Sequence, residues 1–525
     1  MTDSRPGGPV PLPVPRITLR TQLDLDQYAA GGDHELHAFL HVRALGLGGS
    51  AVPDQAAAGH TEVVIIDCSG SMGHPTVRKI AAARRAAEAA IAMLPEGTHF
   101  ALVEGTHEAR LAYPWRTGGG PATVPVTPQS RAEGMRTARA LDAHGGTRIS
   151  GWLELARKLL RTRPGPTFRH ALLLTDGRDE HGAAEELRRV LDACEGEFTC
   201  DALGVGEDWD AHQLLDITGR LHGRAAAVDM SGADSVQEQL TGMFRALVAA
   251  SIARVLPQLV LWVRPEPYLR MTLFRQLAPQ VLDLTGAAER SGDDGTIRFP
   301  TGAWGEESRW YELRLRADPD HPGYRAAKAA PGPVAVATVG VGVGTDGGAD
   351  GGAEADTAAG PGGPADPLLP PETVLRVRWT GEQPPLSRPA GHWTRYTELN
   401  QAARQGAEAL LWQRFEEAER ELSRAVRLAH ELGDTKRLRS LGRLVRILDP
   451  ATGRVQVHEV LDRAQIQGVI LGSVHTEPPP EDGDPEPEPP GSEGEERPVR
   501  CPQCDEWVPP GRYCTNCGHE LTDTP

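Results

Sequence analysis

From residue 62 to residue 251, short apolar runs alternate with helical stretches of 8–18 residues. Apolar runs lie at 63–66, 100–104, 110–113, 170–175, 199–205 and 225–228, and helical patterns at 77–94, 183–195, 211–218 and 236–250. Strands that alternate with helices predict a doubly wound, mostly parallel sheet with helices on both faces, an α/β fold. The flanks follow a different rhythm. Short strand patterns at 17–23 and 35–44 precede the α/β segment, and others at 258–264, 270–274, 280–284, 296–299, 310–316, 334–339 and 374–379 follow it. In one of them Tyr311, Leu313 and Leu315 share a face, with Glu312, Arg314 and Arg316 on the other. We expect a β-sandwich built from residues 1–61 and 252–380, with the α/β domain of residues 62–251 inserted into it.

Two composition shifts mark linkers. Residues 340–371 are rich in Gly, Ala and Asp and lack aromatics. Such a segment buries too little apolar surface to offset its ordering entropy. Gly342, Gly344 and Gly347 match G-x-G-x-x-G there, but no helix-forming sequence follows, so a nucleotide site is rejected. Residues 476–499 form a Pro/Glu-rich tether with nine acidic residues and one Arg up to position 498. Between the linkers, residues 392–475 read as a helical hairpin region. Its stretch FEEAERELSRAV resembles one helix of a tetratricopeptide repeat, in a single copy. Gly433 and Asp434 read together as a helix stop.

The chemistry concentrates in two places. In VVIIDCSGSMG an apolar strand ends at Asp67, with Ser69 and Ser71 at alternate positions and Gly70 and Gly73 permitting a tight loop. Ligands of open α/β sheets bind beyond the carboxyl ends of the strands. A carboxylate and two hydroxyls there are hard oxygen donors suited to Mg²⁺ or Mn²⁺. In the tail, Cys501 and Cys504 are separated by nine residues from a second C-x₂-C pair, Cys514 and Cys517. Four thiolates in two knuckles form a structural Zn²⁺ site, a zinc ribbon at 500–521. The remaining cysteines, Cys68, Cys194 and Cys200, make an odd total of seven and argue for reduced thiols.

The motif Asp67-x-Ser69-x-Ser71 resembles the metal-ion-dependent adhesion site of von Willebrand factor type A (VWA) domains. Two further residues extend the resemblance: Thr147 after the Gly145 and Gly146 turn, and Asp176 after the apolar run HALLLT. It implies that Ser69, Ser71 and Thr147 offer hydroxyls to a Mg²⁺ or Mn²⁺ ion. Asp67 and Asp176 then bind it directly or through water, and an acidic side chain of a protein partner takes the open position. It also implies binding, not catalysis. The likeness extends to actinobacterial VWA proteins, which implies a scaffold for Ser/Thr kinase or phosphatase signalling. The alternative is a substrate-recruiting partner of an AAA+ ATPase of the MoxR or chelatase kind, and a metal-dependent hydrolase ranks third. The net charge of −17 argues against a nucleic-acid coat, and the tail has few basic residues, so protein contact is expected at the ribbon too. No run of 18 apolar residues is present, and residues 1–16 lack a signal-peptide pattern, so the expected compartment is the cytoplasm.

Overall fold

Two strands, β1 (Arg16–Leu23) and β2 (Glu35–Leu45), open the chain and pair antiparallel. The computed structural model describes residues 16–23, 34–46, 59–73, 79–115, 122–163, 168–179, 184–228, 236–254, 256, 258–291, 294–343, 369–379, 388–479, 499–500 and 507–508. The chain divides into two units, Met1–Pro478 and Pro479–Pro525.

The α/β domain follows β2. Its elements are β3 (His60–Asp67), α1 (Lys79–Met93), β4 (His99–Gly105), β5 (Ala109–Tyr113), β6 (Val124–Pro125), α2 (Pro128–Ala140) and α3 (Ile149–Leu160). Then come β7 (Phe168–Thr175), α4 (Ala184–Cys194), β8 (Thr199–Gly204), α5 (Ala211–Arg220), β9 (Ala225–Ala227) and α6 (Val236–Ile252). The sheet order is β5-β4-β3-β7-β8-β9, with β6 also on β4. β4, β3, β7, β8 and β9 run parallel, and β5 and β6 are antiparallel to β4. β3 is buried at every residue, as expected of a central parallel strand covered on both faces. Val63 and Ile65 belong to the core under α3, α4 and α5, whereas Val64 and Ile66 belong to the core under α1, α2 and α6. The two-residue period of the strand thus separates two cores. α1 reaches the second core with alanines, Ala82, Ala83, Ala86, Ala87 and Ala90, which let it lie close to α6.

The chain then completes the sandwich with β10 (Leu259–Pro265), β11 (Leu269–Ala278), β12 (Leu282–Asp283), β13 (Glu289–Ser291), β14 (Thr296–Pro300), β15 (Ser308–Ala317), α7 (Pro322–Ala329), β16 (Val334–Val343) and β17 (Thr373–Val377). One sheet has the order β1-β2-β15-β11-β12, the other β13-β14-β10-β16-β17. Residues of both sheets share one apolar cluster, and Phe274 stacks on Phe299 across it at 4.0 Å. Strands from both sides of the α/β domain therefore build one sandwich around its insertion point. Tyr311, Leu313 and Leu315 face the core as expected, but Glu312 on the opposite face is buried as well. It accepts from Arg275 Nε at 2.5 Å and Arg314 Nε at 2.6 Å, which compensates its charge.

The expected start of the first linker at residue 340 is corrected: β16 continues through Val343. Gly340 belongs to the strand, and it lacks a side chain because the Trp262 indole lies where a Cβ would stand.

The region expected as one helical hairpin is larger. It comprises α8 (Arg388–Leu411), α9 (Phe415–Glu431), α10 (Thr435–Leu441), a β18 (Val445–Asp449) and β19 (Arg454–Val457) ribbon, and α11 (Arg463–Gly472). α8 and α9 form the hairpin itself, with Gly406 admitting Leu422. Gly433 has φ +69 and ends α9, but Asp434 starts α10, accepting from Arg437 N at 2.8 Å. Gln467 on α11 fastens this region to the α/β domain, accepting from Ala211 N at 2.9 Å and donating to Trp209 O at 2.9 Å. Val281 N donates to Val474 O at 2.7 Å, tying the same region to the sandwich. The acidic tether also begins later than expected, because His392 Nε2 meets Glu477 O at 2.9 Å and Lys436 pairs with Glu477 at 2.8 Å.

In the second unit β20 (Val499–Arg500) and β21 (Trp507–Val508) pair antiparallel. The four cysteines expected to bind zinc, Cys501, Cys504, Cys514 and Cys517, lie outside the described residues.

Candidate metal centre

β3 delivers Asp67 to the carboxyl edge of the sheet, where β4 lies on one side and β7 on the other. The chain then turns through Cys68 and Ser69 into one turn of 3₁₀ helix, Gly70–Gly73. Neighbouring loops hold this turn from both directions. Cys68 N donates to Gly105 O at 2.7 Å, His144 N to Cys68 O at 2.6 Å, and Gly70 N to Gly145 O at 3.0 Å. Gly145 sits at φ +72, a left-handed conformation that suits glycine.

Asp67 has no exposed surface. Its Oδ1 accepts from Ser69 N at 2.8 Å, and its Oδ2 accepts from Thr175 Oγ1 at 2.7 Å and Asp176 N at 3.3 Å. Asp67 thereby joins the ends of β3 and β7. Ser71 Oγ donates to Asp176 Oδ1 at 2.8 Å, Ser69 Oγ lies 3.4 Å from the same oxygen, and the two hydroxyls are 3.0 Å apart. Thr147 precedes α3 and is buried, and a Cβ built on Gly177 would stand 3.2 Å from its Oγ1. The glycine after Asp176 therefore lets the Thr147 hydroxyl approach the end of β7. All five residues singled out in the α/β segment meet at one end of the sheet.

A sixth residue joins them that sequence reasoning missed. Lys79, the first residue of α1, extends Nζ to 2.8 Å from Asp176 Oδ2, with its side chain 9% exposed. Gly206, at φ +83, makes room for it: a Cβ there would stand 2.8 Å from both Lys79 Cε and Nζ. One compositional signal pointed to it. Lysine occurs only at 79, 158, 328 and 436 among 55 basic residues, so a lysine that follows the D-x-S-x-S loop is out of character with the chain. A slender ammonium fits between a carboxylate and a glycine where the planar fork of an arginine would not.

The centre is electrostatically loaded. Burial, reinforced by the Asp176 charge, pushes the Asp67 carboxyl up to about 6. Burial, with the charges of Glu104 and Asp67, pushes the Cys68 thiol up, which marks it as an inert core thiol. Three hydroxyls and two carboxylates are all hard oxygen donors. That donor set fits Mg²⁺ or Mn²⁺ in chemistry and lacks the thiolate or imidazole typical of zinc sites.

A family model described as von Willebrand factor type A domain matches residues 62–227. Residues 62–227 form a VWA domain. A solved von Willebrand factor type A protein from Catenulispora acidiphila is 28% identical and superposes with a TM-score of 0.73, covering 88% of this chain and 97% of that one. The similarity thus extends past the VWA domain to the flanking sheets and helices. The ArnB paralog VWA2 from Sulfolobus acidocaldarius aligns at 11% identity over 87% of this chain and 98% of its own, with a TM-score of 0.47. An uncharacterised protein of Synechocystis sp. is 25% identical over 241 residues, 44% of this chain, and the match spans 53% of that relative's length. VWA domains are generally protein-interaction and adhesion modules. Among the described residues, no helix is long and apolar enough to cross a membrane.

Proposed function

We propose that the VWA domain is a metal-dependent protein-capture module. Ser69, Ser71 and Thr147 would hold a Mg²⁺ or Mn²⁺ ion by their hydroxyls, with Asp67 and Asp176 supplying negative charge. When bound, the ion offers an open coordination position to a carboxylate from a protein partner. The chain's own residues do the positioning: Ser69 N and Thr175 Oγ1 orient Asp67, and the Ser71 hydroxyl meets Asp176. The observation that carries this reading is the convergence of Ser69 Oγ, Ser71 Oγ and Asp176 Oδ1 within 2.8–3.4 Å of one another at the carboxyl edge of the sheet. In this reading the domain binds and does not catalyse. Ser251, His60 and Glu62 are also in contact, but Ser251 Oγ and Glu62 Oε2 both approach the same nitrogen, His60 Nε2, at 3.2 Å. A nucleophile–base–acid relay needs the two ring nitrogens in separate roles.

Four further parts of the reading rest on the sequence and its resemblance. The partner presents an Asp or Glu and belongs to a Ser/Thr kinase or phosphatase system, or alternatively is an AAA+ ATPase. The compartment is the reducing cytoplasm, in keeping with the buried free cysteines Cys68, Cys194 and Cys200. Cys501, Cys504, Cys514 and Cys517 hold one structural Zn²⁺. Another protein, not nucleic acid or membrane, is the target of both modules.

Calorimetric titration with Mg²⁺ and Mn²⁺ tests the ion. We expect saturable binding at one ion per VWA domain, lost in Ser69→Ala/Ser71→Ala, and equal binding by that variant would refute the site. Affinity capture with wild type and Asp67→Ala, with and without EDTA, tests the partner. Partners retained in all four conditions would exclude capture through the ion. The identities of those that are lost separate kinase or phosphatase from motor.

A further inference from the structure

At the opposite edge of the VWA sheet, the first residues of β3 and β7 face the sandwich across a cavity of about 80 Å³. Eight-residue strands separate it from the metal centre by roughly 20–25 Å. It is bordered by Arg169 and His170 of β7, His222, Ser251 of α6, Arg254 and, from the sandwich, Gly302.

One wall is a closed network. His170 Nδ1 meets Glu62 Oε1 at 2.7 Å and its Nε2 meets Asp201 Oδ2 at 3.1 Å, all three side chains being buried. His170 therefore carries its charge between two carboxylates, and its hydrogen bonds are spent there.

The other wall holds two arginines, Arg169 and Arg254. Arg169 Nε is buried without a partner, and Arg254 is desolvated, with the charges of Asp201 and Glu307 acting on it and no side-chain hydrogen bond or ion pair among the described residues. Buried guanidinium groups are ordinarily paired, because desolvating an unpaired charge costs several kcal/mol. His222 also borders the cavity, in the left-handed region at φ +51, where non-glycine residues are uncommon. Burial, with the charges of Arg309 and Arg254, pushes its imidazole down to about 4, so it is neutral and able to donate from one ring nitrogen. Gly302, at φ +76, packs beside His222 on the sandwich side of the cavity. Glu197 also borders the cavity, but it faces Arg161 at 3.6 Å. With Glu62, Asp201 and His170 counted together as one negative charge, Arg169 and Arg254 leave the cavity with one positive charge in excess. The volume leaves room for a phosphate-sized ion or a small cluster of waters.

We infer that this cavity is a binding site for a small oxyanion of the size of inorganic phosphate, held by Arg254, Arg169 and His222 at the junction of the VWA domain and the sandwich. The anion supplies an acceptor for Arg169 Nε and a counter-charge for the desolvated Arg254, and it joins residues of both domains. It is independent of the ion at the carboxyl edge, so an Asp176→Asn change leaves it intact.

The test uses the full chain at constant ionic strength, with inorganic phosphate as the probe, sulfate and acetate as further arms, and chloride as the reference. We expect saturable phosphate binding near one per chain by calorimetry, and a melting temperature that rises with phosphate over chloride, as mass action requires of a ligand that binds only the folded state. Arg254→Gln and Arg169→Gln should each weaken binding at least tenfold, and Asp176→Asn should bind as wild type does. Binding of sulfate but not acetate assigns the site to tetrahedral oxyanions, and binding of all three broadens it to small carboxylates. Should Arg254→Gln fail to fold, Arg169→Gln carries the comparison. The proposal is overturned if wild type shows no saturable binding of any of the three anions, or if phosphate binds with wild-type affinity to the arginine variants that fold.

Discussion

Lys79 places a cation on the carboxylate that a divalent ion would also claim. Its ammonium lies 2.8 Å from Asp176 Oδ2 in a buried setting. Removing one member of a buried pair leaves the other uncompensated, at about 3 kcal/mol. Lys79→Met should therefore lower the stability of the ion-free protein by about that amount, with a lower melting temperature in EDTA. The same change removes the ammonium's competition for Asp176. Affinity for Mg²⁺ should rise by about tenfold, or about 1.4 kcal/mol. Titration calorimetry of the variant decides the matter: unchanged or weaker binding would show that Lys79 supports the ion in place of competing with it. If binding does tighten, the tethered ammonium would set a threshold in wild type, with the site filling only where the divalent ion is abundant or a partner carboxylate adds its own attraction.

At the scale of elements, β3, β7 and β8 are tied by charge as well as by their ladders. Burial alone would raise Glu62 and Asp201, but His170 between them holds both carboxyls below their ordinary range. Burial alone would lower His170, yet Glu62 and Asp201 push it up to about 9. The signs give a window. The histidine contribution is complete below about 6.5 and is lost as pH rises through about 9. The carboxylate contribution is complete above about 4.5 and is lost as pH falls below it. The melting-temperature gap between wild type and His170→Gln should be widest near pH 5.5 and shrink by about pH 10. A gap that stayed flat across that range would show that the network contributes packing alone. These strands were legible in the sequence because strands buried on both faces read as apolar runs, and the D-x-S-x-S loop because its period and glycines are local. α2 was not, since its core contact is small and most of its surface is polar. Its start signals were nevertheless there: Pro128 in the first turn, and Thr127 accepting from Ser130 N at 3.1 Å. Gly340 was misread for a related reason, since a glycine beneath a tryptophan and a glycine in a linker look alike until Trp262 is placed. Lys79 depends on a contact 97 residues away along the chain, which no local pattern carries.

For the whole molecule, the two units make separable predictions. Elemental analysis of the purified full chain should find one zinc, reduced to none in Cys501→Ser/Cys504→Ser. Unchanged zinc in that variant would place the metal elsewhere. The magnesium titration should be the same in both proteins, because the VWA donors all lie within Met1–Pro478. The manner of insertion bears also on the order of synthesis. β2 must pair with β15, and Glu35 finds Arg316 only after the whole VWA domain has been made. The two ends of that domain touch, however, with Ser251 Oγ 3.2 Å from His60 Nε2. Once the domain has folded, the chain between β2 and β15 that must be closed shrinks from about 260 residues to about 70, which lowers the chain-entropy cost by about 1 kcal/mol. A VWA domain that folds first during synthesis would therefore act as a template, holding the severed halves of the sandwich within reach of each other until the last strands emerge.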